Sequence, residues 1–202
     1  MPSNLTSRQA EEKLMQDEGR LPPGQVLTRK FPVLSISRTP KFDESTWTLR
    51  VFGEVAAEKS WSWSAFQQIP TVTRTTDIHC VTGWSKFDTT WEGPRFRDFV
   101  RLFAINPTAQ FVTLHSADEY TTNLPLEALM DDDVLLAWKF DGKPLAPDHG
   151  YPLRLVAPQR YFWKSAKWVC GLEFTPEDRP GFWERAGYHN EGRPFKEERT
   201  AK

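Results

Sequence analysis

The sequence contains few cysteines and no long apolar segment. Only Cys80 and Cys170 occur among 202 residues, so a disulfide framework is excluded and at most one bond can form. No stretch approaches the roughly twenty apolar residues that span a bilayer. The first twenty residues contain no apolar run, twin-arginine pair or cleavage site, so we expect a cytoplasmic protein without membrane insertion.

Neither sign of charge is in excess. The chain has 26 lysines and arginines against 27 aspartates and glutamates, a formal net charge of -1. This balance argues against nucleic acid or an anionic membrane as a partner, so any bound anion must be met by a local cluster of donors. Aromatic residues, by contrast, are plentiful. Nine tryptophans and fourteen phenylalanines are enough to wall a rigid pocket as well as to fill a core.

Short β and helical patterns alternate along the chain. Apolar residues alternate with period two in 47–53, and strands are also predicted for 72–80, 111–116 and the β-rich run 134–140. Helical spacing in 96–103 predicts a helix. Without a βαβ rhythm or a repeat, the predicted class is α+β with a mixed β-sheet and short helices.

Proline and glycine divide these elements. Pro125 begins one or two helical turns, Asp141-Gly142 predicts a hairpin, and 91–94, which reads Trp-Glu-Gly-Pro, predicts a turn. Residues 1–30 are predicted to be a peripheral N-terminal arm with a short charged helix that ends before Pro22. Residues 31–202 are predicted to form one domain.

A lone thiol at the end of a predicted strand is the most informative feature. Residues 77–85 read Asp-Ile-His-Cys-Val-Thr-Gly-Trp-Ser, so Cys80 follows a run of β-formers and precedes a turn at Gly83. A ligand or nucleophile is commonly displayed in this way. The alternative is a small buried apolar residue, which is the commonest role of a cysteine.

The C-terminal third concentrates groups that suit a bound anion. His149 lies in a glycine turn, Arg154 lies on the strand that follows, and the block 161–168 adds Lys164, Ser165 and Lys167. Arginine offers a planar fork to phosphate oxygens, lysine a point charge, and serine a direct donor. Together these residues predict a site for a phosphate ester, although any one of them alone is more typical of a solvated surface.

Three blocks in this order resemble the sulfite oxidase family of molybdopterin-dependent oxidoreductases, in particular its compact, cytosolic, single-domain branch. They are the Cys80 block, the block 116–123, and Gly-x-Pro-x-Arg-Leu-Val-x-Pro at 150–158 with Lys-x-x-Lys-Trp at 164–168. The resemblance implies the sulfite oxidase molybdopterin-binding fold for 31–202 and molybdenum-molybdopterin as the cofactor. It implies that Cys80 is the metal ligand, and that the pterin or its phosphate is contacted by His79, Ser116, His149, Arg154, Ser165, Ala166 and Lys167. For His79 the choice between a packing, pterin or catalytic role stays open, because neighbours on a strand face opposite ways.

Departures from the family pattern narrow the expected reaction. Val81, Thr82, Gly83 and Trp84 follow Cys80 where sulfite oxidases have arginines, so we expect oxygen-atom transfer with a neutral S-oxide or N-oxide rather than with sulfite. Phe162 replaces a glycine that many relatives have, which narrows access to the pterin. Polar and aromatic groups expected on the substrate side are Trp84, Asp118 and Tyr120.

The sequence also gives an expectation about the electron source, and it leaves two other function classes open. The chain has no Cys-x-x-Cys-His motif and no dinucleotide fingerprint, so electrons are expected to pass through a separate redox protein or carrier. One alternative is a cysteine hydrolase or transferase in which His79, His115 or His149 activates Cys80. The other is a non-catalytic molybdopterin-binding or carrier protein.

Overall fold

The computed structural model describes residues 6–201, and the predicted α+β class is confirmed. Five short α-helices and twelve strands alternate along the described chain. The helices are α1 Ser7–Asp17, α2 Trp63–Phe66, α3 Phe96–Phe99, α4 Leu126–Leu129 and α5 Phe182–Arg185. The strands are β1 Val26–Leu27, β2 Thr48–Gly53, β3 Lys59–Ser62, β4 Val72–His79, β5 Trp84–Gly93, β6 Phe111–Ser116, β7 Thr121–Pro125, β8 Leu135–Ala137, β9 Lys139–Phe140, β10 Lys143–Pro144, β11 Arg154–Val156 and β12 Val169–Thr175. Single 3-10 turns occupy Val100–Leu102, Pro147–His149, Phe162–Lys164 and Pro194–Lys196. Every helix in this part of the chain is too short or too polar to span a bilayer.

Two five-stranded sheets and a two-stranded pair make up the β structure. One sheet has the order β3-β2-β12-β6-β7, and its only parallel pair is β2 with β12. In the other sheet β5 is central and pairs with β1, β4 and β9, while β10 extends beyond β9. The third unit is the antiparallel pair of β8 and β11.

Period-two patterning explains which strand faces are buried. Leu49 and Val51 on β2 are fully buried, while their neighbours Thr48 and Arg50 are exposed. Val112 and Leu114 on β6 lie in the same hydrophobic cluster as the two β2 side chains. Burial of such side chains stabilises the fold by roughly 1.5–3 kcal/mol each. The alternating face predicted for 47–53 is therefore the face that meets the core.

The N-terminal arm is integrated into the domain from about Arg20, in contrast to the predicted peripheral position. The predicted helix is present as α1, and Thr6 caps its N-terminus with Gln9 in a reciprocal pair of hydrogen bonds. Beyond it, β1 pairs in parallel with β5. The Arg20 guanidinium donates to both oxygens of Asp77 at 2.8 and 2.9 Å. These contacts lie more than fifty residues apart in sequence, and local patterning does not reveal them.

The turn predicted at 91–94 is wrong. Strand β5 continues through Trp91 and Glu92 to Gly93. Gly93 does not form a turn but allows the backbone of β5 to approach that of Leu136 closely, because a Cβ atom at Gly93 would lie 2.1 Å from the carbonyl oxygen of Leu136. The predicted run 134–140 is also divided, since Trp138 separates β8 from β9. Asp141-Gly142 does form the predicted hairpin, between β9 and β10.

Candidate active site

Cys80 lies in the four-residue connection between β4 and β5, which we call the Cys80 loop (residues 80–83). The Cys80 N–H donates to the Trp84 carbonyl at 2.8 Å, and the Gly83 N–H donates to the Cys80 carbonyl at 3.0 Å. Gly83 has a φ of 97°, which favours glycine. The turn after the thiol is thus present as predicted.

The Cys80 thiol is 6% exposed, and its Sγ lies 3.2 Å from the Thr82 hydroxyl. Burial raises the pKa of the Cys80 thiol above its usual value. The charge of Arg199 acts in the opposite direction, and a bound metal ion would favour the thiolate further.

One cavity of about 380 Å³ joins this thiol to the C-terminal cluster. Its walls come from the Cys80 loop, the β6–β7 turn, the turn at 147–149, the start of β11 and the segment 165–168. Nine of the eleven predicted site residues line it: Cys80, Trp84, Asp118, Tyr120, His149, Arg154, Ser165, Ala166 and Lys167. The fold therefore brings together blocks that the sequence separates by up to 87 residues.

Arg154 is a buried cation at the wall of this cavity. Its guanidinium donates to three backbone carbonyls, those of His149 at 2.8 Å, Ser165 at 3.0 Å and Leu155 at 3.3 Å. The Phe162 ring stacks on it at 4.2 Å. Within residues 6–201 no carboxylate lies within ion-pairing distance of Arg154. Burial lowers the pKa of Arg154 to about 9.

Lys167 is the second cation at the cavity. Its Nζ donates to the carbonyls of Asp148 at 2.9 Å and Leu34 at 3.1 Å, and to the Ser35 hydroxyl. It too has no carboxylate partner in the described part of the chain. Burial, and next the charge of Arg154, lower the pKa of Lys167 to about 8. Two neighbouring cations without counter-ions fit an anionic group, because an anion would compensate the cost of their burial.

The surroundings of these cations also fit a phosphate. Gly150 has a φ of 111°, and a Cβ there would lie 3.1 Å from the Arg154 Cβ and 3.2 Å from the Lys167 Cβ. Its missing side chain thus lets the two cationic residues approach each other. The Ser165 Oγ accepts from the Ala157 N–H at 3.0 Å, which leaves the hydroxyl proton able to donate.

His79 and Ser116 do not line the cavity. His79 Nδ1 lies 2.8 Å from the Ser85 hydroxyl, and its ring meets Phe87 and Phe195 edge-on. Burial lowers the pKa of His79 to about 4, so the imidazole is neutral at pH 7. Strand geometry explains this placement. His79 and Cys80 are consecutive residues, so their side chains point to opposite sides, and His79 faces away from the cavity that Cys80 lines. The Ser116 hydroxyl is buried, without a hydrogen-bond partner in the described chain.

Lys164 also faces away from the cavity. Its Nζ lies 2.6 Å from Glu184 Oε1, and both side chains are almost completely buried. The same Nζ donates to the backbone and side-chain oxygens of Asn123. Of the two lysines in the Lys-x-x-Lys-Trp block, Lys167 alone lines the cavity, and Lys164 ties the 162–164 turn to α5.

Two groups of cavity residues were not predicted. The segment 31–36 covers one side, where the Phe31 ring stacks on His149 with 3.8 Å between centroids. Trp183 and Tyr188 enter from the C-terminal part of the chain. For the segment 31–36, the sequence signal that could have indicated a role was the apolar run Phe-Pro-Val-Leu at 31–34, which matches neither a helix nor a strand period.

The geometry does not assemble a cysteine–histidine pair. The side-chain partner of Cys80 Sγ is Thr82, and no histidine nitrogen within residues 6–201 is hydrogen-bonded to it. His115 lies outside the cavity and pairs with Glu173 at 3.0 Å. His149 lines the cavity but stacks on Phe31.

A buried thiol and two uncompensated cations around one cavity, on mixed sheets with short helices, define a binding site for a thiolate-ligated anionic cofactor. The family described as the oxidoreductase molybdopterin binding domain matches residues 36–183, and the chain belongs to this family. It is a molybdopterin-dependent oxidoreductase of the sulfite oxidase-like class, and the predicted fold and cofactor are confirmed.

Individual relatives agree with this assignment. An uncharacterized oxidoreductase of Bacillus subtilis, YuiH, is 44% identical over 182 residues, which are 90% of this chain and 92% of that protein. A putative protein-methionine-sulfoxide reductase subunit of Azospira oryzae, YedZ1, is 28% identical over 83% of this chain and 64% of its own length. The sulfane dehydrogenase SoxCD of Paracoccus pantotrophus superposes with a TM-score of 0.64 at 20% identity, over 74% of this chain and 42% of that one, which is a likeness of fold.

Proposed function

We propose that this oxidoreductase reduces a neutral S-oxide or N-oxide by oxygen-atom transfer, with electrons supplied by a separate redox partner. The observation that carries the proposal is one cavity lined by the buried Cys80 thiol and by two cations that have no carboxylate partner within residues 6–201. When bound, the molybdenum cofactor supplies the two-electron change that oxygen-atom transfer requires.

One part of the cavity lining has the role of holding the cofactor. Cys80 supplies a soft sulfur ligand, and Arg154 and Lys167 supply the positive charge for the phosphate. The Ser165 hydroxyl and the compact backbone at Ala166 complete the phosphate end. His149 lines the same wall, and its pKa is lowered by burial and by the charge of Arg154, so the ring stays neutral near its stacked partner Phe31.

The remaining walls favour a neutral substrate. Trp84, Asp118 and Tyr120 line the cavity, together with the aromatic rings of Trp163, Trp183 and Tyr188. Burial raises the pKa of Tyr120, and its hydroxyl donates to the Trp163 carbonyl at 2.7 Å. Tyr120 therefore shapes the wall rather than exchanging a proton.

Among the residues that the structure describes, Arg154 and Lys167 are the only arginine and lysine that line the cavity, so a doubly charged oxyanion has no further cation there. Arg95 pairs with Asp98 and Asp132, Arg74 donates to a neighbouring carbonyl, and neither arginine lines the cavity. Arg154 and Lys167 are occupied by the phosphate in this proposal. The likeness to a putative methionine-sulfoxide reductase subunit supports the same substrate class.

Reduction of an S-oxide consumes two electrons and two protons and yields the thioether and water. A separate protein or small carrier is proposed as the electron source, because the sequence contains neither a c-type haem motif nor a dinucleotide fingerprint. A cytoplasmic location stays a prediction, which cell fractionation with an antibody to the chain would test.

The reaction is tested with protein loaded with molybdenum in a cofactor-producing host. We expect reduction of methionine sulfoxide, dimethyl sulfoxide or trimethylamine N-oxide with reduced benzyl viologen to exceed sulfite oxidation with ferricyanide. The reason is that the described residues lining the cavity leave no cation free for sulfite once Arg154 and Lys167 hold the phosphate. Cys80→Ser is the matched inactive control. Robust sulfite oxidation together with no reduction of the oxides would overturn the proposal. Stoichiometric cofactor without turnover in either direction would instead identify a carrier protein.

A further inference from the structure

Donors from distant parts of the chain hold three carbonyls of the Cys80 loop. Gln25 Nε2 donates to the Cys80 carbonyl at 3.1 Å, the Val26 N–H donates to the Gly83 carbonyl at 2.9 Å, and Arg199 Nη1 donates to the Val81 carbonyl. Gln25 is 55 residues from Cys80 along the chain, and Arg199 is 118 residues from Val81. Gln25 and Arg199 both lie outside the residues that match the family, 36–183. The loop is thus fixed by contacts that its own turn sequence does not supply.

Gln25 connects the loop to the strand pair behind it. Its side chain is 5% exposed, and its Oε1 accepts from the Ser85 hydroxyl at 3.4 Å. The Ser85 hydroxyl is also 2.8 Å from His79 Nδ1. The Cys80 carbonyl accepts from both Gln25 and Gly83, so the peptide plane between Cys80 and Val81 is held from two directions.

Arg199 connects the loop to both the N-terminal arm and the C-terminal segment, defined as residues 187–201. Besides the Val81 carbonyl, its guanidinium donates to the Pro23 carbonyl at 3.4 Å and lies 5.2 Å above the Tyr161 ring. The backbone around Arg199 is itself anchored, because its carbonyl accepts from the His189 N–H at 3.2 Å. One side chain therefore joins three segments at the thiol.

We propose that Gln25 and Arg199 are positioning residues that set the direction of the Cys80 side chain through the carbonyls of Cys80 and Val81. The N-terminal arm and the C-terminal segment together act as a clamp on the loop. The inference rests on the proposed function, in which Cys80 is the metal ligand, and adds how the ligand is oriented before the metal arrives.

The first test measures thiol accessibility in the whole chain purified from a host that lacks the cofactor. Alkylation of Cys80 by N-ethylmaleimide is followed by mass spectrometry, with Cys170 as the internal reference. In Gln25→Met and in Arg199→Met we expect Cys80 to react roughly tenfold faster, the effect of one lost hydrogen bond on local opening, while the Cys170 rate is unchanged. Arg199→Lys, which keeps a donor and the charge, should restore part of the protection.

Two further variants separate positioning from general loosening. Arg193→Met removes the ion pair with Glu198 in the same segment but leaves Arg199 in place, so Cys80 should react at the wild-type rate. Gln25→Asn keeps the amide but shortens it by one methylene, and replaces Gln25→Met if that variant does not fold. An unchanged Cys80 rate, or equal acceleration in Arg193→Met or at Cys170, would overturn the inference.

The second test uses the molybdenum-loaded protein. In Gln25→Met and Arg199→Met we expect retained molybdenum and shifted g values of the Mo(V) paramagnetic resonance signal, since the sulfur meets the metal from a changed direction. Unshifted g values, with the signal lost in Cys80→Ser, would refute the positioning role and leave the proposed function standing. A wild-type signal in Cys80→Ser would refute the proposed function, and the alkylation rates would still decide the role of Gln25 and Arg199.

Discussion

The two cysteines of this chain occupy different environments and should respond differently to the same substitution. Cys80 lines the cavity, whereas Cys170 on β12 lies outside it, with its Sγ 3.5 Å from the His115 carbonyl. We expect Cys80→Ser to lose molybdenum and turnover while the fold is retained, because a hydroxyl is a poorer ligand for a soft metal site than a thiolate. Cys170→Ser should retain both molybdenum and turnover.

Metal analysis and circular dichroism of the two variants check this prediction. A wild-type metal content and full turnover in Cys80→Ser would show that another group holds the metal. Equal losses in the two variants would point to a cooperating pair of thiols instead.

Arg154 and Lys167 allow a prediction about retention of the phosphate end. Each substitution to alanine removes a charge-assisted contact of roughly 1.5–3 kcal/mol, so cofactor retention should weaken about tenfold to a hundredfold. Molybdenum and pterin should be lost together, as measured by metal analysis and pterin fluorescence after gel filtration. Lys143→Ala, an exposed lysine on β10, is the control. Wild-type stoichiometry of both components in the double variant would remove these residues from the site.

At the scale of elements, Gly93 is a position where β5 has no room for a side chain against the backbone of β8. A Cβ there would meet the Leu136 backbone, so we expect Gly93→Ala to lower the free energy of unfolding by roughly 1–3 kcal/mol or more. Gly142→Ala is the comparison, because Gly142 has a φ of 75° but a Cβ added to it would meet no atom within 4 Å, which isolates backbone strain of about 1 kcal/mol. Urea denaturation of both variants measures the difference. A smaller loss in Gly93→Ala than in Gly142→Ala would contradict the steric explanation.

The same glycine shows where sequence patterns succeed and fail at predicting elements. Period-two alternation correctly predicted β2, and Asp141-Gly142 correctly predicted the hairpin between β9 and β10. Both signals depend only on residues that are adjacent in sequence. Gly93-Pro94 has the composition of a turn, but the Leu136 backbone that requires a glycine there is 43 residues away. Local composition does not distinguish these two uses of glycine.

Prediction of the site was limited in the same way, by contacts between residues that lie far apart in sequence. The three family-like blocks contain half of the residues that line the cavity, including the thiol and both cations. The pattern of residue types did not distinguish Lys164 from Lys167, because the distinction depends on Glu184, which meets only Lys164. The family resemblance implied a cofactor contact for Lys167 alone. The arm was predicted to be peripheral for the same reason, as the partners of Arg20 and Gln25 lie in the β4–β5 hairpin.

At the scale of the whole molecule, an uncompensated lysine should make stability depend on pH. Burial lowers the pKa of Lys167 to about 8 in the fold, from 10.5 for an ordinary lysine. Below about pH 8 both folded and unfolded chains carry the proton, and the buried charge destabilises the fold. As the pH rises from about 8 towards 10.5 the folded chain releases the proton first, so the cost of the charge is relieved and stability increases.

Urea denaturation of the cofactor-free chain at several pH values tests this. The stability of the wild type relative to Lys167→Met should rise across that interval, because the variant has no proton to release there. A difference between the two proteins that does not change with pH would show that Lys167 is not destabilised by its surroundings.

The Arg199 contact also bears on when the site is completed during synthesis. Ribosomes extend chains at roughly 5–20 residues per second, so the 118 residues between Val81 and Arg199 take about 6–24 s to add. Throughout that interval the Val81 carbonyl lacks the Arg199 guanidinium, and the thiol beside it is presented by a loop that is held only by its own turn hydrogen bonds and by the arm. The complete loop can therefore meet the cofactor only after Arg199 has been added, and a nascent chain offers the thiol before it offers the complete site.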